Sequence, residues 1–300
     1  MNKIFKIALY VVVAILSFLV FLYITFPFDT LLDRALDSIS KRFGGQYEVT
    51  YEDVSPRIPV GVSLGGVKIV LHSGEKTSTL FSFDRIKLKV SLIQLVFGNM
   101  SAGFDAKLAG GGRIKGKAKI GKKTGKVELK LDNIKISSIG LIPDEYRKNI
   151  ENSMDGSMHL DLDFEDNTRS SGVINFKFGA IKIKPFTYAS PLGNVDVPEL
   201  NFGTEKSEFS AELKRGSIRV TSLNITGGDV NLDMKGFVYI TPPRPNLRGR
   251  FSLSDKIYEK VSLLDFIKGQ KDQDGYYPLT ITGTLDKLNI KIGDFTLPLR

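Results

Sequence analysis

The sequence predicts a mainly β protein: one N-terminal transmembrane helix, then a long, curved antiparallel sheet with a few short helices. Three observations carry this. Residues 7–26 hold no charged side chain, whereas from Gln46 onward apolar and polar residues alternate with a period of two. Turn residues separate the alternating runs every ~8–15 positions, without the β-helix-β rhythm of a parallel fold. The 29 Gly, 10 Tyr and 20 Phe fit β structure with many tight turns.

Residues 1–6 form a short tip carrying Lys3 and Lys6. From Ile7 to Phe26, fourteen residues are Ile, Leu, Val or Phe, among them Ile7, Leu9, Val12, Ile15, Leu19, Leu22 and Phe26. A helix of about 20 residues spans about 30 Å, the hydrocarbon thickness of a bilayer. Such a run favours insertion by about 4–8 kcal/mol. It exceeds a signal-peptide core, and the bulky stretch Tyr23 to Phe28 offers no cleavage site, so an uncleaved anchor is expected. Lys3 and Lys6 place the N-terminus in the cytoplasm by the positive-inside rule. The bulk of the chain is then extracytoplasmic, which in a bacterium with two membranes means an inner-membrane anchor and a periplasmic body.

Pro27 ends the anchor. Residues 27–45 read as a juxtamembrane amphipathic helix, with Leu32, Leu36, Ile39 and Phe43 on one stripe and Gly44-Gly45 as its stop. Residues 46–300 read as one β domain. Period-two runs occur at Val67-Leu71, Ile86-Val90, Ile114-Ile120, Val127-Leu131, Met158-Phe164 and Ile174-Phe178. They continue at Phe209-Leu213, Ile218-Val220, Leu223-Ile225, Val230-Met234, Phe251-Leu253, Leu279-Ile281 and Leu288-Ile292. Side chains of a strand alternate between faces, so each run has one apolar and one polar face, as in a sheet covered on one side.

Turns are expected at Gly121-Gly125, Glu165-Asn167, Gly227-Asp229 and Asp274-Gly275, and a loop at Pro242-Pro243 and Pro245. Helices are expected at Pro143 to Asn152, at Ser254 to Lys268 with Gly269 as the stop, and as a short turn at Ser91 to Phe97. These are too few to cover the apolar face. The sheet curls on itself, pairs as a sandwich or leaves a groove. Leu160, Leu162, Phe176, Phe178, Leu213 and Leu232 are the candidate residues of that groove or core.

The absence of cysteine excludes a disulfide framework, a thiolate metal site and a cysteine nucleophile. The net charge of +9 is compatible with nucleic acid, anionic lipid or solubility alone. Gly61-Val62-Ser63-Leu64-Gly65 matches the spacing of a nucleophile elbow, but a strand pattern follows it instead of a helix. Gly111-Gly112-Arg113-Ile114-Lys115-Gly116-Lys117-Ala118 is one residue short of a phosphate-binding loop, and a strand follows here too. Asp161, Asp163, Glu165 and Asp166 read as a wet strand face and its turn, and His159 as a solvated histidine. Lys115, Lys117, Lys119, Lys122, Lys123 and Lys126 read as a solvated basic hairpin, with attraction to anionic headgroups as the alternative. No enzyme, cofactor, metal or nucleic-acid role is expected.

Several stretches together resemble a known family. They are the lysine pair, single anchor and Phe26-Pro27, then Gly61-Val62-Ser63-Leu64 leading into a strand. They continue with Phe83-Asp84-Arg85-Ile86-Lys87-Leu88-Lys89-Val90 running to Gly98, the Gly110-Gly111-Gly112-Arg113 turn, and Pro278-Leu279-Thr280-Ile281-Thr282-Gly283-Thr284-Leu285. Over nearly its whole length the chain resembles the type II secretion system protein N family, and it is similar to the wider AsmA-like group of anchored periplasmic β proteins. The first resemblance implies an inner-membrane accessory of the machine that exports folded proteins, with other envelope or secretion-system proteins as partners. The second implies a half-pipe sheet whose apolar interior handles lipid.

Overall fold

The computed structural model describes residues 47–57, 61–73, 76–90, 100–140, 147–190, 193–240, 244–260, 262–284 and 287–297, together with Asp33, Leu36 and Ser40. The chain is mainly β, with one large antiparallel sheet and few helices.

The first strands are β1 (Tyr47–Thr50), β2 (Asp53–Arg57), β3 (Gly61–Ser73), β4 (Lys76–Val90), β5 (Met100–Leu108), β6 (Arg113–Ile120) and β7 (Thr124–Lys135). The middle holds β8 (Ile150–Glu151), β9 (Ser153–Asp163), β10 (Ser171–Phe178), β11 (Ile181–Ile183), β12 (Phe186–Ser190) and β13 (Gly193–Val197). Next come β14 (Leu200–Lys214), β15 (Ser217–Gly228), β16 (Val230–Tyr239), β17 (Arg244–Leu253) and the helix α1 (Asp255–Lys260). A 3₁₀ segment (Ser262–Gln270) then leads to β18 (Tyr277–Thr284), β19 (Lys287–Ile292) and β20 (Phe295–Thr296).

Most strands pair antiparallel with a neighbour in sequence, so the sheet is largely a meander. β1 and β2 lie end to end along β3. β10 and β11 lie end to end along β14, and β8 and β9 along those two. The hairpin β12–β13 stands outside the ladder. Among the described residues no strand pairing joins the β1–β2 end of the sheet to the β19–β20 end.

The register turns the period-two runs into continuous apolar belts. Directly paired residues share a face. One belt runs Val54, Leu64, Ile86, Ala106, Ile114, Leu131 and Gly156. It continues through Phe176, Phe209, Leu223, Met234, Gly249, Leu279 and Ile292. Beside it run Val62, Leu88, Phe104, Gly116, Leu129, Met158 and Ile174, then Ala211, Val220, Gly236, Leu247, Ile281 and Ile290. A bulge at Thr221-Ser222 keeps β15 in phase, so that Val220 and Leu223 both face the belts. The runs at 218–220 and 223–225 are thus one strand.

Two clusters of buried residues lie along this face. The larger comprises Leu64, Val67, Phe83, Ala106, Leu108, Ile134 and Met154. The smaller comprises Ile267, Tyr277 and Ile292, where the 3₁₀ segment lies against the end of the sheet. Asp229 binds α1 to the sheet: its carboxylate accepts the Asn201 backbone N–H at 2.9 Å and the Ser254 hydroxyl at 3.0 Å.

Four expectations need correction. Ile150–Glu151 is strand β8, not the end of a helix from Pro143, because Ile150 pairs with Ile183 and Glu151 with Lys184 at 2.6 Å. Residues 141–146 lie outside the described residues. The Ser254–Lys268 helix is α1 plus a 3₁₀ segment that runs through Gly269 to Gln270. The strand at Met158–Phe164 ends at Asp163, and Phe164 is 53% exposed. Pro245 belongs to β17 opposite Val238; β18 pairs with β17 only from Leu247, so no ladder bond on that side needs the missing N–H. Pro242 and Pro243, and the turn at Ser91 to Phe97, lie outside the described residues.

Of the expected 27–45 helix, Asp33, Leu36 and Ser40 are helical. Asp33 accepts the Tyr51 hydroxyl at 2.5 Å, and Ser40 donates to the Tyr47 carbonyl at 2.5 Å, so this segment touches the sheet near β1. The expected anchor, with Ile7, Leu9, Val12, Ile15, Leu19, Leu22 and Phe26, lies outside the described residues. Among the described residues no helix is long and apolar enough to cross a membrane.

Candidate functional site

The candidate site is the apolar face itself. Leu160, Leu162, Phe176, Phe178, Leu213 and Leu232 all project from it. Leu160 reaches Leu213 through Gly172, Gly156 reaches Phe209 through Phe176, and Leu232 pairs with Ile225 two positions beyond Leu223. Leu213 is 6% exposed, whereas Leu160, Leu162, Phe176, Phe178 and Leu232 are only half-buried. Along β6, β7 and β10 the outward positions are exposed and most apolar ones half-buried. The middle of the face therefore keeps apolar surface in contact with solvent.

Glycines on this face leave room for large neighbours. Rings lie across them: Phe176 over Gly156, and Phe104 over Gly116. Phe176 also stacks on Phe209 with centroids 5.8 Å apart. A Cβ at Gly156 would lie 2.3 Å from the Phe176 ring and 2.6 Å from the Asn175 carbonyl oxygen. The second contact is backbone and cannot swing away. Gly156→Val is expected to destabilise the chain by about 1–3 kcal/mol through overpacking, read as a lower midpoint in chemical denaturation.

The polar face holds ion pairs. Arg113 and Asp105 form a two-pronged pair, whose hydrogen bond holds the Asp105 carboxyl below the usual carboxylate range. Lys126 does the same for Asp161 at 2.9 Å, and Lys184 for Glu151 at 2.6 Å. A depressed carboxyl contributes stability above its unfolded pKa, and that contribution is lost as pH falls through the folded value. These pairs are largely exposed, so each contributes little. Thermal stability is expected to be flat from pH 5 to 8 and to fall below about pH 4, less steeply in Asp105→Asn than in the parent. Melting curves across pH check this.

The short motifs take ordinary places. Gly61 to Gly65 lies within β3, with Ser63 opposite Lys87. Gly111 and Gly112 form the β5–β6 turn at φ +96° and +91°, and strand β6 follows. Asp163 accepts the backbone N–H groups of Glu165 and Asp166, and Asp166 caps the next turn through Thr168, so both carboxylates hold the loop. His159 lies on the polar face within 3.7 Å of Glu128 and 3.3 Å of Asp161. Among the described residues no group of three or more His, Asp or Glu is placed to hold a metal ion.

The arrangement offers an extended apolar surface and a charged outer face. Comparison with family models, curated proteins and solved structures returns no match, so the reading of this chain rests on its residues and their geometry.

Proposed function

We propose that this chain is an inner-membrane-anchored periplasmic accessory component of the type II protein secretion system, acting by binding. The observation that carries the binding role is the apolar face of the meander, whose middle positions are only half-buried. A half-covered apolar face accepts a partner. The assignment to secretion is supported by the resemblance of the anchor, the Gly61–Val90 region and the C-terminal Pro278–Leu285 segment to the type II secretion protein N family. The apolar run at residues 7–26 supports the anchor, and Lys3 and Lys6 its orientation.

A second reading is favoured by a specific observation. The half-buried belt through Leu131, Phe176 and Phe209 suits acyl chains lying along a half-pipe, each buried methylene contributing about 0.8 kcal/mol. In this reading the chain is an AsmA-like lipid-handling or envelope-integrity protein.

The test is a deletion strain in which exported enzymes are assayed in the medium and the periplasm while detergent sensitivity is measured. Enzymes trapped in the periplasm behind an intact outer membrane support the secretion role. Normal export with a leaky outer membrane overturns it in favour of lipid handling. A photo-crosslinker at Phe176 adds a molecular readout, since capture of lipid in cells is expected only in the second reading.

A further inference from the structure

The outward face of the first half of the sheet is cationic in a patterned way. On β4 every outward residue from Arg85 to Lys89 is a cation: Arg85, Lys87 and Lys89. On β6 the outward residues are Arg113, Lys115, Lys117 and Lys119. Between these ladders lies β5, whose outward positions include Ser101 and Gly103. Gly103 is paired with Lys89 on one side and Lys117 on the other. The result is a depression of about 650 Å³ whose lining includes Lys87, Lys89, Lys115 and Lys117. Its acids are Asp105, held by Arg113 with Lys115 and Lys87 also nearby, and Glu128 on β7, directly opposite Lys117. Among the described residues no acidic group forms an ion pair with Lys87, Lys89, Lys115 or Lys117. Lys115 also stands directly opposite Lys130 on β7, a like-charge pair that costs stability in a sheet.

We infer that this groove binds an extended acidic peptide segment of a partner protein, with carboxylates at alternate positions. Successive outward side chains on one strand are about 6.6–6.8 Å apart, and the two ladders about 9–10 Å apart across β5. An extended peptide repeats its own alternate side chains at about the same 6.6–6.8 Å interval. Laid along β5, it meets Lys89 and Lys117 on its two flanks over Gly103 and Lys119 beside Ser101. The absence of side-chain bulk at Gly103 admits its backbone. Nucleic acid fits less well, because base stacking needs exposed aromatic rings, and the one exposed large hydrophobic among the described residues of β4, β5 and β6 is the aliphatic Ile120. A bilayer surface fits less well for the same reason, since interfacial binding draws on apolar side chains that insert. The proposal deepens the binding role above and rests on it for the source of the partner.

The test uses the full chain in a nonionic detergent and dye-labelled peptides read by fluorescence anisotropy. One peptide alternates Glu and Thr; the other has the same composition with its glutamates in one block. The alternating peptide is expected to bind at least about tenfold tighter, and the double substitution Lys89→Gln, Lys117→Gln to weaken it by at least about tenfold. The control substitution Lys214→Gln, elsewhere on the outer face, is expected to leave binding unchanged. Melting temperatures of all variants are compared, so lost binding is separated from lost folding. Equal affinity for the two peptides overturns the proposal, because the groove then reads net charge alone. Stronger competition by phosphatidylglycerol micelles or by a single-stranded oligonucleotide than by the alternating peptide overturns it too. The titration needs no secretion phenotype, so this proposal and the secretion role can fail independently.

Discussion

Replacing Tyr277 by alanine is expected to lower stability by about 3–5 kcal/mol, the range for removing a large aromatic from a core. Tyr277 is 0% exposed. Its ring lies 5.2 Å from Phe251 and 6.1 Å from Tyr258, and it packs in one cluster with Ile267 and Ile292. Lys271 covers the two tyrosines, with its ammonium 4.6 Å from the Tyr258 ring centre and 5.6 Å from that of Tyr277. This is the small cluster that holds the 3₁₀ segment to the end of the sheet, with Phe251, Tyr258, Leu264 and Leu279 packed against it. Burial also pushes the Tyr258 hydroxyl well above the ordinary tyrosine range. The buried hydroxyls of Tyr258 and Tyr277 lie side by side, so Tyr277→Phe, which keeps the ring, is expected to cost at most about 1.5 kcal/mol. Chemical denaturation of the two variants, side by side, separates ring packing from the hydroxyl.

Leu108→Ala is expected to cost about 2–5 kcal/mol at the other end of the sheet. Leu108 is 0% exposed and sits among Val67, Phe83, Ala106 and Ile134. The backbone around it is closed by the β5–β6 turn, where the Leu108 N–H donates to the Gly112 carbonyl at 3.2 Å and the Gly111 N–H donates to the Leu108 carbonyl at 3.1 Å. A turn held on both sides relaxes little into a cavity, which places the cost towards the upper part of that range. Leu108 and Tyr277 belong to separate clusters and share no partner. Their effects are expected to add within about 0.5 kcal/mol if the sheet unfolds as one unit. A double mutant that unfolds in two steps would instead show that the two ends melt separately.

Much of the sheet was legible because a strand's side-chain period is two and turn residues interrupt it. Ile114 to Ile120, Val127 to Leu131 and Ile174 to Phe178 are strands where alternation placed them. Leu160, Leu162, Phe176, Phe178, Leu213 and Leu232 share one face for the same reason. The misses have local causes. Ile150 and Glu151 carry no run long enough to show a period, and only pairing with β11 makes them a strand. Phe164 continues an alternation by sequence, but the chain turns at Asp163, where Ser170 and the loop N–H groups hold it. Pro245 looked like loop because proline breaks ladders, yet this position has a ladder on one side only.

The basic groove divides the same way. Lys115, Lys117 and Lys119 stand out in the sequence as a charged strand face. That Lys87 and Lys89 flank the same glycine does not, since β4 and β6 meet only through β5. The sequence by itself determined the fold class, the run of strands, the apolar and polar sides of each, and the uncharged segment at residues 7–26, because these depend on local periodicity and composition. Tertiary structure decided which strands are neighbours, that β8 and β9 lie end to end along β10 and β11, and that the apolar rows join into belts. Those follow from register, and register is set by hydrogen bonds and cross-strand packing between residues far apart in the chain.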